Sequence, residues 1–156
     1  MNLSAQAIAL SREHDFHLWL ACGEMTHGWA LVQTGAPHGM AEIESAIAAM
    51  RSALGGISIV FLSSRIEACI FLKQYDQALE WLTQALSDAQ RTGDGHFLAE
   101  LHRLRGVCLL ETSPIQAADA RACFEQALAI SGQQQAKSLA LRAATVKRTK
   151  VVSPMI

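Results

Sequence analysis

Proline is scarce, three residues in 156, and aromatic side chains make up only 6% of the chain. Charged residues reach 17% and nearly cancel, thirteen Lys and Arg against fourteen Asp and Glu. The net charge of −1 gives no electrostatic footprint for nucleic acid or an anionic membrane. Long hydrophobic runs are also missing. The longest nearly apolar stretch, ALGGISIVFL, covers ten residues and is too short to span a bilayer. The opening MNLSAQAIALSREH has neither the basic start nor the apolar length of a signal peptide. Four cysteines, Cys22, Cys69, Cys108 and Cys123, lie far apart with no C-x-x-C pair, which argues against a zinc ribbon and a disulfide framework. A reducing cytoplasm is the expected compartment.

Chemical motifs are equally absent. No G-x-x-x-x-G-K-[ST] occurs, and the Gly55-Gly56 pair runs into Ile-Ser-Ile and reads as a loop. No G-x-S-x-G elbow occurs. His102 and Cys108, six apart, face different sides of one helix and form no nucleophile–base pair. Metal-ligand residue types gather in REHDFH (residues 12–17), followed by Glu24 and His27. Their spacing fits no established zinc signature, so surface histidines are the expectation. Neither catalysis nor a metal nor a cofactor is expected.

What the chain has is helix formers. Ala, Leu, Gln and Glu abound, alternating β-branched runs do not, and 51% of residues are hydrophobic. An all-α fold in one domain, residues 1–148, follows, with 149–156 as a disordered tail. Breaks at Gly35 to Pro37, Gly55-Gly56, Thr92 to Gly95, Ser113-Pro114 and Ser131-Gly132 mark helix ends. The predicted pieces are a half-repeat over 2–13, helix pairs over about 17–53, 57–92 and 95–131, and a lone helix over 133–147. Charge is uneven along them. From residue 133 on there are five basic residues and no acidic one. The first 132 hold eight basic against fourteen acidic residues, a net −6. No motif accompanies this basic end, which reads as solvated.

The second helices share a pattern: a small residue, a large apolar one four later, and Ala three after that. It appears as Gly39-Ile43-Ala46, Ala78-Leu82-Ala85 and Ala120-Phe124-Ala127, at spacings of 39 and 42 residues. The first helices echo one another more loosely, HGWAL around Gly28 and RGVCL around Gly106, with Ile66 in the glycine's place between them. Small residues at these positions let paired helix axes approach to about 8–10 Å. Gly106 costs its helix about 1 kcal/mol of propensity, which closer packing is expected to offset. These eleven residues (Gly28, Gly39, Ile43, Ala46, Ala78, Leu82, Ala85, Gly106, Ala120, Phe124 and Ala127) are the predicted repeat-packing set.

This pattern resembles tetratricopeptide (TPR) repeats, slightly lengthened. The segments HGWALVQTG, ALEWLTQALSDAQRTGD, AELHRLRGVCLL, ARACFEQALAI and QQQAKSLALRAAT resemble the C-terminal TPR-like region of large bacterial signalling proteins. In those proteins an ATPase module precedes the repeats, itself preceded by an adenylate/guanylate cyclase or winged-helix transcription-activator domain. The resemblance covers roughly residues 6 to 145. It implies antiparallel hairpins stacked as a short right-handed α-solenoid. No cyclase or ATPase residues lie in this chain, so neither activity carries over.

The resemblance also implies a concave groove lined by the first helices. By register with Gly28, Ile66 and Gly106, the groove positions are Met25, Trp29, Gln33, Ser63, Glu67, Ile70, Arg103, Val107 and Glu111. The expected role is a non-catalytic protein-interaction scaffold or regulatory repeat module, with a protein or peptide in the groove. The alternatives are a small-molecule effector sensor and a truncated product without independent function. Neither nucleic acid nor a membrane is an expected partner. The sequence begins inside what would be a second helix and ends in VKRTKVVSPMI, so a fragment with self-associating ends is expected.

Overall fold

The structure, a computed structural model, describes residues 3–54 and 59–148. Among these residues there are eight helices and no strand, so the fold is all-α. The Gly55-Gly56 loop and the 149–156 tail of the sequence reading lie outside the described residues. The chain divides into two compact units, Met1–Leu72 and Lys73–Ile156. The division falls inside the expected 57–92 pair, between its two helices.

The first unit holds α1 (Leu3–Glu13), α2 (His17–Gln33), α3 (Gly39–Leu54) and α4 (Ile59–Phe71). Helix α2 is central and packs against all three others, while α3 also touches α4. Its core joins Met25, Val32, Ile43, Ala46, Ile47 and Ala68, with Trp29, Met40 and Phe61 packed on them. The α2–α3 contact is made at the backbone. A Cβ on Gly28 would lie 2.9 Å from both Ile43 Cγ1 and the Gly39 carbonyl oxygen. A Cβ on Gly39 would stand 2.6 Å from the Val32 nitrogen. Any side chain at either position would hold the helices apart, so glycine is a packing requirement here.

The second unit holds α5 (Tyr75–Thr92), α6 (Leu98–Thr112), α7 (Ala117–Gln133) and α8 (Lys137–Val146), with a 3₁₀ turn over Pro114–Gln116 leading into α7. Helix α6 takes the central place, touching α5, α7 and α8. Covered on three sides, it buries Ala99 to Leu101, Arg103, Leu104 and Gly106 to Leu109. Helix α5 instead buries one stripe, Ala78, Leu82, Ala85 and Ala89, in keeping with its three-four spacing. A Cβ on Gly106 would fall 2.7 Å from Phe124 Cε1 and 2.8 Å from Cζ. Phe124 itself is fully buried and has nowhere to go. All eleven residues of the predicted repeat-packing set are buried.

The two units share a turn as well as a helix order. Between α1 and α2, Asp15 adopts φ 54°, and the Phe16 N–H donates to the Ser11 carbonyl at 2.9 Å. Between α7 and α8, Gln135 also adopts φ 54°, and the Ala136 N–H donates to the Ser131 carbonyl at 2.9 Å. The closing bonds match too, His17 N–H to Asp15 at 3.0 Å and Lys137 N–H to Gln135 at 3.1 Å. Ser11 and Ser131 are both buried. These turns lie 120 residues apart, three steps of about forty, close to the 39- and 42-residue spacings of the small–large–Ala pattern.

Phe124 is fully buried and its ring stands where a Gly106 Cβ would be, so Gly106→Ala is expected to destabilise the protein despite alanine's better helix propensity. An overpacking cost of about 1–3 kcal/mol exceeds the propensity gain of about 1 kcal/mol. Urea unfolding checks this. Gly106→Ala combined with Phe124→Leu is expected to recover part of the loss non-additively, as touching residues do.

Candidate functional site

In each unit the central helix touches the next first-type helix, α2 with α4 and α6 with α8. The nine predicted groove residues belong to α2, α4 and α6, and the structure sorts them by cover. Gln33 and Glu111 are exposed, while Trp29, Glu67 and Ile70 are half-buried. Four of the nine, Met25, Ser63, Arg103 and Val107, are buried. Met25 is a core residue, Val107 is buried in α6, and Ser63 is buried with its hydroxyl donating to the Val60 carbonyl at 2.7 Å. Met25 and Val107 lie on helices flanked on three sides, which leave only a narrow free strip, and Ser63 lies on α4, which packs against α2 and α3. Trp29 bridges α2 and α4, meeting Phe71 edge-on with centroids 6.0 Å apart at 74°.

Arg103 has a different setting. Glu100, one turn earlier on α6, is only 2% exposed and accepts two bonds from Arg103, from Nε at 2.9 Å and Nη2 at 2.7 Å. From α8, Arg142 brings Nη2 to 3.0 Å from the same carboxylate's Oε1. A buried carboxylate is therefore neutralised by a bidentate guanidinium and bridged to a second helix. Lys147 Nζ adds a further tie from the end of α8 to Glu125 Oε1 on α7 at 3.1 Å. Arg142 and Lys147, read from sequence as part of a solvated basic end, thus help seat α8. Beside them lies a cleft of about 340 Å³ lined by Arg103, Leu141, Arg142, Thr145 and Val146.

The histidine-rich patch resolves into pairs. Arg12 Nη2 lies 2.9 Å from Glu24 Oε1, and His27 Nδ1 lies 2.8 Å from Glu42 Oε1, tying α2 to α1 and α3. Among the described residues no three His, Cys, Asp or Glu side chains gather to hold a metal ion. Burial pushes the thiols of Cys22, Cys69 and Cys123 up from their ordinary value, keeping them protonated and weakly nucleophilic. No described helix is long and apolar enough to cross a membrane.

No protein-family model, curated protein or solved structure matches the chain. The geometry alone carries the functional reading. Two features of it were missed in the sequence: the buried Glu100 with its two arginines, and the cleft at α8. The i,i+3 spacing of Glu100 and Arg103 in ELHR was the available signal for the first.

Glu100→Ala is expected to cost about 3–5 kcal/mol, since it breaks a buried, bidentate ion pair. Arg142→Gln, at a 47% exposed side chain, is expected to cost no more than about 1 kcal/mol. Chemical denaturation of the two variants checks the ordering. Burial, and secondarily Arg105, hold the His102 imidazole below its ordinary value of about 6.5. The folded state therefore disfavours the proton. Stability from this group is complete above about pH 6.5 and is lost as pH falls through the folded value. Thermal midpoints at pH 7 and pH 5 are expected to differ more for the wild type than for His102→Gln.

Proposed function

We propose that the chain is a TPR-like repeat module, its hairpins stacked as a short right-handed solenoid. It acts as a non-catalytic scaffold that docks a peptide or helix of a protein partner in a bacterial signalling or transcription-regulatory system. The observation that carries this reading is the recurrence of one packing scheme in both units. A central first-type helix meets a second-type helix on each side and the next first-type helix beyond, with glycine against a large apolar residue at the hairpin contact. Repeat stacks need that scheme, because each hairpin covers only part of its neighbour and leaves its first helices to form a binding face.

A second reading, a module that senses a small-molecule effector, is favoured by one observation, the cleft between α6 and α8.

A photo-crosslinking amino acid placed at Gln33 or Glu111, exposed on first helices, is expected to capture a discrete partner in extracts of the source cell. The same probe at Glu44 or Glu125, exposed on second helices, is expected to capture much less. Equal capture from both sets would contradict a first-helix binding face.

A further inference from the structure

The hairpin contact uses the same registers in both units. On α3 it takes Ile43 and Ala46, on α7 Phe124 and Ala127, and all four are fully buried. On α2 the face that carries Gly28 also holds Ala21 and Met25, and all three are buried. The shared turn carries these registers 120 residues along the chain, onto α1 and α8. Ser4 and Ala7 of α1 answer to Phe124 and Ala127. Leu141 and Thr145 of α8, with Arg148 just beyond it, answer to Ala21, Met25 and Gly28. Here the face is open. Ala7 is exposed beside Leu3 (79%) and Leu10 (56%), and Leu141 (69%), Thr145 and Arg148 are exposed as well.

The two open faces complement each other. α1 is a second-type helix and α8 a first-type helix, so together they make the two halves of one hairpin. Gly106 meets Phe124 in the α6–α7 hairpin. Carried onto α8 and α1, that pair becomes Arg148 against Ser4. Counting away from it along antiparallel helices sets Thr145 against Ala7 and Leu141 against Leu10. Size is matched in reverse, because a long side chain now lies over a small one where Gly28 meets Ile43 and Gly106 meets Phe124. Charge is matched too. At the far end of the α6–α7 hairpin, Gln134 Nε2 donates to the Gly95 carbonyl at 2.6 Å. The same shifts put exposed Lys137 beside His14, between the exposed Glu13 and Asp15.

We propose that α8 of one copy of this chain docks on α1 of a second copy and completes a hairpin between the two molecules. Each copy offers one face and receives on a different one, so the contact is heterologous and assembly runs head to tail. The proposal rests on the repeat reading of the hairpins and not on partner docking at the first helices. Unfolding of Gly106→Ala tests those hairpins separately.

The test follows the mass of the full chain by sedimentation over a wide concentration range, with two variants that each block one face, Ala7→Glu and Leu141→Glu. Both positions are exposed, and circular dichroism checks helix content. The wild type is expected to grow in mass with concentration. Each variant alone is expected to associate at least about tenfold more weakly, as loss of one buried apolar contact implies. Mixed in equal amounts, the two are expected to form a 1:1 complex and nothing larger, since one keeps its α8 face and the other its α1 face. Lys137→Glu is expected to weaken association by up to about fivefold, and Glu13→Lys added to it to restore the loss. This charge pair decides the matter if a blocked variant loses helix. A wild type that stays monomeric, a mixture that stays monomeric, or a blocked variant that associates as the wild type does would overturn the proposal. So would a Lys137→Glu protein that Glu13→Lys fails to rescue.

Discussion

The fold depends on the absence of a side chain at the crossings of paired helices. At Gly28 and Gly39 the backbones of α2 and α3 meet so closely that each glycine faces the other's main chain. At Gly106 the space a Cβ would occupy is taken by the Phe124 ring. Glycine inside a helix is unfavourable by about 1 kcal/mol, so these positions make sense only where closeness returns more than it costs. The large partner residues, Ile43 and Phe124, are fully buried because a glycine sits opposite them. Close crossing in turn brings the flanking helices within reach of the central one. α2 and α6 can then each be covered on three sides. What that cover leaves open includes Gln33 on α2 and Glu111 on α6.

Much of this architecture was legible in the sequence. Helix limits follow from the breaks at Gly35 to Pro37, Thr92 to Gly95 and Ser113-Pro114, where Gly or Pro stands among other turn residues. The expected break at Ser131-Gly132 instead lies inside α7, which runs on to Gln133 because an isolated glycine is tolerated in a helix. The packing set follows from the small–large–Ala spacing, because three- and four-residue steps put those positions on one helix face. The shared turn was not legible. Between SREHDFH and SGQQQAK only the serine and the overall length agree, and the equivalence lies in backbone dihedrals and main-chain hydrogen bonds that many residues can form. The burial of Met25, Ser63 and Val107 was not legible either, since periodicity gives a helix face but not how much of it neighbours cover.

The charged cluster was hidden for a related reason. Glu100 and Arg103 are visible as an i,i+3 pair, but the third member, Arg142, comes from α8 and joins them only when α8 docks. Read along the chain, Arg142 is one of five basic residues at the C-terminal end. Within the fold it bridges two helices and overlooks an apolar recess. Buried ion pairs contribute little net stability over apolar packing, yet losing one member is costly. Such a cluster therefore fixes how α8 sits more than it strengthens the fold. The same economy runs through the rest of the chain: apolar contacts hold the hairpins, and the paired carboxylates Glu24, Glu42, Glu100 and Glu125 set how neighbouring helices register.

Direct contact between Gly106 and Phe124 is the claim on which the hairpin geometry rests, and nuclear Overhauser spectroscopy measures it. The account predicts strong cross-peaks from the Gly106 α-protons to the Phe124 ring, together with a ring-current displacement of those α-protons from ordinary helical glycine values. Gly106 α-protons at ordinary helical positions, with no cross-peak to the Phe124 ring in the folded protein, would contradict it.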